Sequence, residues 1–390
     1  MLRQRRGMQL DAGVKRSWKK KPRIPYNGAR KQHNLPHRVN ECNQRRHRPG
    51  TTGYLERFFG IKRSGAVYGC IACACPLTTV AVCICTFKNP DGLRDLLQGL
   101  DTQLLETVRD EDLTVAVVDN DAGASAAKVL KSYATSGRFK LSSLNQPKRG
   151  LSSARNSALH LAFASQADLF AFLDDDEIPS DRWLQSMVDC FKEPGNAIIV
   201  GPLEPRFEVP PPRWIVAGDF FHHRCTDSND IAGYTGNVMM RTAAIAASGV
   251  RFDEALNAIG GEDVVFFRAL RARGFDIKCS PGALAYESIP RGRASLKWMM
   301  RRWLRAGATG TLLMGSGNVG WRNRIANAAR GLGRIGAGSI MVVVTATTRG
   351  RRDFAAVARS IATVCRGVGM LIAAFGISYQ EYGQGYRRDT

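Results

Sequence analysis

Phe170-Ala171-Phe172-Leu173-Asp174-Asp175-Asp176-Glu177 is an apolar run that stops abruptly in consecutive carboxylates. A short apolar run with a sharp polar stop reads as a buried strand. Carboxylates at the carboxyl end of such a strand sit where open α/β sheets bind their ligands. Side chains on a strand alternate faces, so Asp174 and Asp176 point one way and Asp175 the other. Two carboxylates about 6–7 Å apart on one side repel each other unless a cation sits between them. An oxygen-only pair suits Mg²⁺ or Mn²⁺ carrying a phosphate, rather than a closed cage of protein ligands. The plain alternative is an acidic loop leading into a helix that begins near Ser180 and Asp181, since acidic residues favour helix starts.

The flanking segments weigh against that alternative. Val80-Ala81-Val82-Cys83-Ile84-Cys85 is a β-branched run that ends in Thr86-Phe87-Lys88-Asn89-Pro90, a strand running into a turn. Leu93, Leu96, Leu97 and Leu100 follow at helical spacing. Leu113 to Val118 is a second strand, ending at Asp119-Asn120-Asp121. A helix over about 124–135, a weaker strand from Phe139 to Leu144 and a helix from Gly150 to Ala164 lead to the opening strand. Strands alternating with helices at this spacing predict βαβ units and a mostly parallel sheet. Three strand ends then deliver polar groups to one edge: Thr86 with Asn89, Asp119 with Asp121, and Asp174 with Asp176.

After Trp183 the pattern changes. Ala197 to Val200 reads as a strand, followed by a Pro-rich loop over 202–213 and a Gly-rich turn at Gly233 that enters the strand ending at Met240. Gly260-Gly261-Glu262-Asp263 opens a helix, Ala283 to Glu287 reads as an edge strand, and Ser295 to Ala306 as a basic helix with Trp298 and Trp303.

Composition sets the limits. The 390 residues suffice for one large domain with appendages. Net charge is +22, most of it contributed by residues 1–63, which lack an apolar period and read as disordered. That segment has no aromatic stacking platform or groove-reading motif, so no nucleic-acid partner is expected. Of the ten cysteines, Cys83, Cys85, Cys190 and Cys279 fall in apolar surroundings and read as free thiols. Cys70-Ile71-Ala72-Cys73-Ala74-Cys75 has no His at zinc-like spacing and reads as an apolar linker. No disulfide framework is evident, which places the body in a reducing compartment. The uncharged stretch Ser64 to Phe87 is long enough for a bilayer, but Pro76 and Thr78-Thr79 interrupt it and its second half is better used as a strand. Two apolar patches, Ile335–Thr347 and Ile361–Ile377, flank Arg349-Gly350-Arg351-Arg352. Each is shorter than a comfortable span, so they read as interfacial helices on an anionic leaflet, with an ordinary helical cap as the alternative.

Taken in order, Thr86-Phe87, Asp119-Asn120-Asp121, Gly150-Leu151-Ser152-Ser153-Ala154-Arg155-Asn156, Phe172 to Glu177 and Gly260 to Asp263 resemble the family-2 glycosyltransferases of GT-A fold. The resemblance covers about residues 78–306 and is nearest the bacterial exopolysaccharide, succinoglycan-type branch. It implies an α/β fold: a Rossmann-like, mostly parallel sheet flanked by helices, with a helical membrane-associating tail. The domains expected are a basic N-terminal segment over 1–75, the transferase over 76–310 and the tail over 311–390. It implies that Thr86, Asp119, Asp121, Arg155 and Asp175 hold a UDP-sugar. Asp174 and Asp176 would bring in Mn²⁺ or Mg²⁺, and Asp263, beside Glu262, would be the general base. Gly236, Asn237, Arg302 and Trp303 would border the acceptor. Arg302-Trp303 are similar to the end of the family's Gln-x-x-Arg-Trp element, with Met299 where Gln would stand, and Tyr286-Glu287 stand where relatives often carry a His.

The implied activity is inverting transfer of a sugar, with glucose expected, to a polysaccharide or lipid-linked acceptor at the cytoplasmic face of the inner membrane. A nucleotidyltransferase would want a Gly-rich basic loop straight after the first strand, which Thr86 to Gly92 is not. A dehalogenase-like phosphatase does not fit Glu177-Ile178-Pro179. The alternative from another class is a basic nucleic-acid- or membrane-binding module that keeps a catalytically dead transferase body.

Overall fold

The computed structural model describes residues 79–225, 233–257, 259–314, 321–349 and 353–376. The expected N-terminal segment and the Cys70–Cys75 cluster lie outside the described residues. β1 (Val80–Thr86), β2 (Leu113–Asp119) and β4 (Leu169–Asp174) are buried along almost their whole length. Val82, Val115 and Leu173 feed one apolar cluster, while Cys83, Ala116 and Phe172 feed another on the opposite face. A sheet covered on both faces requires apolar residues at successive positions, which is why these strands do not alternate in polarity.

The main sheet has the order β3-β2-β1-β4-β8-β6-β9, with β3 at Lys140–Asn145, β6 at Ile198–Val200, β8 at Asn237–Arg241 and β9 at Ile277–Cys279. β3, β2, β1 and β4 are mutually parallel, whereas β8 runs antiparallel to both β4 and β6. The parallel registers end almost level: Thr86 faces Asp119, Asp119 faces Asn145, and Cys85 faces Asp174. That level edge brings residues distant in sequence together.

α1 (Pro90–Asp101) starts with Pro at its first turn and an Asn89 side chain that accepts from Gly92 N at 3.3 Å. Its four leucines are buried against the sheet. α2 (Ala127–Ser136) begins slightly later than expected, and α3 (Leu151–Ala164) presents Ala154, Ala158 and Ala162 so that it can approach β1 and β2 closely. α4 (Trp183–Cys190), α5 (Arg213–Gly218), α6 (Thr242–Ser248) and α7 (Glu262–Ala272) follow.

Several expectations need correction. A second sheet has the order β5-β10-β7, built from Glu177–Pro179, Ala285–Ile289 and Leu203–Phe207. The strand expected at an edge is therefore the central one, paired with β5 on one side and β7 on the other. Cys279 is not a free thiol: it is bonded to Cys225 across 54 residues, with Cα atoms 5.6 Å apart. Folding β9 beside β6 creates this proximity, and it removes the free-thiol premise for a reducing compartment. α8 spans Leu296–Met314. The tail helices α9 (Trp321–Thr348) and α10 (Phe354–Ala374) are 28 and 21 residues long, longer than the apolar patches and sufficient by length and composition to cross a membrane. α10 is also tied to the body: Ala358, Ala362 and Cys365 share a cluster with Ile215, Ile289 and Trp303.

Candidate active site

β4 ends at Asp174 and β5 begins at Glu177, so Asp175 and Asp176 form the turn between two sheets. Asp175 turns inward and is only 5% exposed. Its Oδ2 accepts from the Thr86 hydroxyl at 2.7 Å, and its carbonyl accepts from Asn89 Nδ2 at 2.8 Å. These bonds clamp the end of β4 to the end of β1. Glu177 is buried beneath the turn, where its Oε2 accepts from Asp174 N at 3.1 Å. Burial first, then Asp174 and Asp176, pushes the Glu177 pKa well above the usual carboxylate range. Gly236 packs directly on this group: a Cβ there would stand 2.3 Å from Glu177 Oε1.

Asp174 and Asp176 instead border open space. Together with Leu151, Arg155 and Arg293 they line both of two adjoining cavities. The first, about 170 Å³, also has Thr86, Phe87, Asn120, Arg149 and Asp175 in its wall. The second, about 510 Å³, is bordered by Gly236, Glu262, Asp263, Glu287, Trp298 and Arg302, among others. Carboxylates from three parts of the chain thus face one continuous region.

Arg155 connects them. It is buried on α3, pairs with Glu262 on α7, and lies 3.3 Å from Asp174 Oδ1. Burial works against its charge, but Asp174, Glu262 and Asp263 outweigh burial and push its pKa up. The chain enters α7 through Gly260 and Gly261, at φ 80° and 86°, a left-handed path that glycine follows without strain. This path sets Glu262 and Asp263 at the cavity rim. A helix N-terminus lowers a carboxylate's basicity. Here burial prevails: it raises the Asp263 pKa against the opposing effects of Arg155 and of Val264 N, which donates to Asp263 Oδ1 at 2.7 Å. Burial likewise raises Glu262, with Arg155 opposing.

Not every expected residue reaches a cavity. The Asp119 carboxylate accepts from Asp121 N at 3.0 Å and from Ala126 N at 2.9 Å, so it is spent on its own loop. Asp121 is absent from both cavity walls, and the side chain between them, Asn120, lines the first cavity. Asn237, expected beside the acceptor, is fully buried: it accepts from Trp183 Nε1 at 2.8 Å and donates to the carbonyls of Pro202 and Ala283. Its role is to join the two sheets. Trp303 is buried in the apolar cluster against Phe220 and α10, while its neighbour Arg302 reaches the cavity over the rings of Trp298 and Phe221. The helical period explains the split, since adjacent residues on α8 point about 100° apart.

Sequence reading assigned no role to Glu177 or Arg293 and left open whether Glu287, where relatives often carry a His, reaches the metal. Burial first, then Asp176, pushes the Glu287 carboxyl up to about 7. The register that sets Glu287 opposite Glu177 gives no periodic signal in either segment.

Among the described residues, no three His, Cys, Asp or Glu side chains form a ready metal cage. The donor set nevertheless fits a hard divalent ion: Asp174 and Asp176 offer carboxylate oxygens at an open wall, and each raises the pKa of Glu177 by repulsion, a strain that a cation relieves. Such an ion completes its shell with water or phosphate rather than with protein groups.

Residues 81–248 match the family described as glycosyl transferase family 2. The chain is 34% identical over 229 residues to the succinoglycan biosynthesis protein ExoM of Rhizobium meliloti (strain 1021), spanning 58% of this chain and 72% of that protein. Among solved structures it is similar to the mannosyltransferase PcManGT from Pyrobaculum calidifontis in complex with GDP-Man and Mn2+, at 16% identity and TM-score 0.48, covering 73% of this chain and 85% of that one. It is also similar to S. aureus TarS 1-349 in complex with UDP, at 16% identity and TM-score 0.44, covering 75% and 90%. With the parallel sheet, its carboxylate edge and the ExoM relationship in hand, the chain belongs to glycosyl transferase family 2, in its exopolysaccharide branch, and is a glycosyltransferase.

Proposed function

We propose that this glycosyltransferase moves a sugar, glucose in the first instance, from a UDP-sugar to a polysaccharide or lipid-linked oligosaccharide acceptor, with inversion. The observation that carries the proposal is the shared wall: Asp174 and Asp176 border both cavities, and Asp263 stands across the larger one. The smaller cavity takes the nucleotide, against Thr86, Phe87, Asn120, Arg149 and Arg155. Asp119, Asp121 and Asp175 shape that cavity through the loops they bind. Asp174 and Asp176 would hold Mn²⁺ or Mg²⁺, which when bound supplies Lewis-acid stabilisation of a leaving diphosphate. Asp263 takes the proton from the acceptor hydroxyl, helped by the raised pKa that burial confers. Glu262 holds Arg155 in place and so keeps that cation beside the diphosphate position. Gly236, Trp298 and Arg302 border the acceptor side. No protein nucleophile is required, because the hydroxyl attacks from the face opposite the leaving group.

The apolar helices α9 and α10, with arginines at 322, 324, 330, 334 and 349, support placement at the cytoplasmic face of the membrane, peripheral or monotopic. The test is a donor panel: purified protein with each nucleotide sugar, with and without Mn²⁺, scored for hydrolysis and for transfer. Metal-dependent turnover of a UDP-sugar is expected. Failure to turn over any nucleotide sugar, whatever the metal, overturns the reading.

A further inference from the structure

The loop joining β10 to α8 carries a further arginine into the site. Arg293 lines both cavities and is half-buried. Its Nη1 lies 3.2 Å from Asp176 Oδ2 and 3.5 Å from Glu287 Oε1, and its guanidinium carbon is 5.9 Å from the Trp298 ring centroid. One nitrogen therefore serves two carboxylates, at the long end of ion-pair distances. Elsewhere in the fold, Arg138 grips Asp110 with two parallel bonds of 2.8 and 2.7 Å. The two-pronged grip is the strong and directional mode of a guanidinium. Arg155 differs in another way, since it is buried in a helix and wedged between Asp174 and Glu262. Arg293 stands on a turn, closed by Arg293 N donating to Pro290 O at 2.9 Å, and it reaches both Asp176 and Glu287 through the same Nη1.

We propose that Arg293 is an exchangeable counter-ion, which balances Asp176 and Glu287 in the empty site and turns to the diphosphate when a divalent ion and nucleotide enter. This rests on the reading of the site as one that binds a metal and a nucleotide sugar. A divalent ion approaching Asp176 meets a guanidinium already there, and two cations on one carboxylate repel each other. An incoming diphosphate offers Arg293 a partner whose oxygens match its planar fork. Metal alone therefore binds weakly, and metal with nucleotide binds well. The exchange makes the two ligands cooperative, and the coupling is reciprocal.

The test measures Mn²⁺ binding by electron paramagnetic resonance and UDP binding by calorimetry, on the full chain and on Arg293→Gln, Arg293→Lys and Arg268→Gln. Arg268 lines the larger cavity and pairs with neither Asp176 nor Glu287 in the structure, so it reports the general field. Arg293→Gln should bind Mn²⁺ more tightly than wild type without nucleotide, yet bind UDP roughly tenfold more weakly with Mn²⁺ present. Arg293→Lys should keep wild-type Mn²⁺ affinity and recover part of the UDP affinity. Thermal unfolding of each variant separates these shifts from loss of fold. Shifts of the same sign for both ligands in Arg293→Gln, or an equal Mn²⁺ gain in Arg268→Gln, overturn the exchange. A wild-type protein that binds neither UDP nor Mn²⁺ overturns the underlying reading of the site, and the exchange with it.

Discussion

The strand-end site and the C-terminal helix pair solve burial in opposite ways. At the site, charged groups are drawn inward: Arg155 and Glu262 are 4% and 3% exposed, and each has an opposite charge in contact. On α9, large apolar groups are turned outward: Ile340, Val343 and Val344 are 67%, 62% and 50% exposed. The contact between α9 and α10 is made instead by small residues. A Cβ on Gly331 would stand 2.9 Å from Gly367 O, and one on Gly367 would stand 2.8 Å from Gly331 O. Buried charge with outward polar surface suits water. Small residues inside and aliphatic residues outside suit lipid, where helices associate by close backbone approach rather than by hiding apolar surface. One chain thus carries a charge-lined site and two helices long and apolar enough to cross a membrane.

The largest effects should appear at the site. Asp176→Ala and Asp263→Ala should each lower transfer by roughly 10²–10⁴-fold while circular dichroism stays unchanged. Near-wild-type transfer by either variant would remove the chemistry from this region of the comparison. The next effect belongs to the helices. Ile340→Asp combined with Val344→Asp should abolish sedimentation with anionic vesicles and leave metal-dependent donor hydrolysis as it was. A variant that still sediments would show that the outward aliphatic face does not meet lipid. The smallest effect concerns Glu287, whose carboxyl is pushed up from 4.5 to about 7, by burial first and Asp176 next. The folded chain holds a proton there that the unfolded chain releases above about pH 4.5, so metal-free stability falls as pH rises from 4.5 towards 7. Glu287→Gln cannot titrate, and should raise the metal-free Tm relative to wild type at pH 8 but not at pH 4. Equal shifts at the two pH values would show that this carboxyl does not carry the strain of the site.

The parallel half of the sheet was legible because its strands are continuous apolar runs with polar stops, and the helices between them keep a regular spacing. Thr86, Asp174 and Asp176 were legible as polar residues at those stops, and Glu262 and Asp263 as the acidic opening of a helix after Gly260-Gly261. Asn237 was expected beside the acceptor from the family resemblance, and nothing in the string shows that Trp183 and two carbonyls need its amide. Asp119 was legible as a strand-end carboxylate, but its partners, backbone N–H groups of the next loop, were not. The Cys225–Cys279 bond and the central place of β10 depend on segments far apart in sequence, as do the contacts of Arg293.

By itself the sequence determined the family, the parallel sheet, the carboxylate edge and the apolar tail, because each is written in local pattern: hydrophobic period, strand stops and short motifs. Only the tertiary structure decided which carboxylates face open space, which are spent on backbone, and which arginine stands against which acid. Those outcomes depend on register and on packing between distant segments. A shift of one residue along a strand sends a side chain from the cavity into the core.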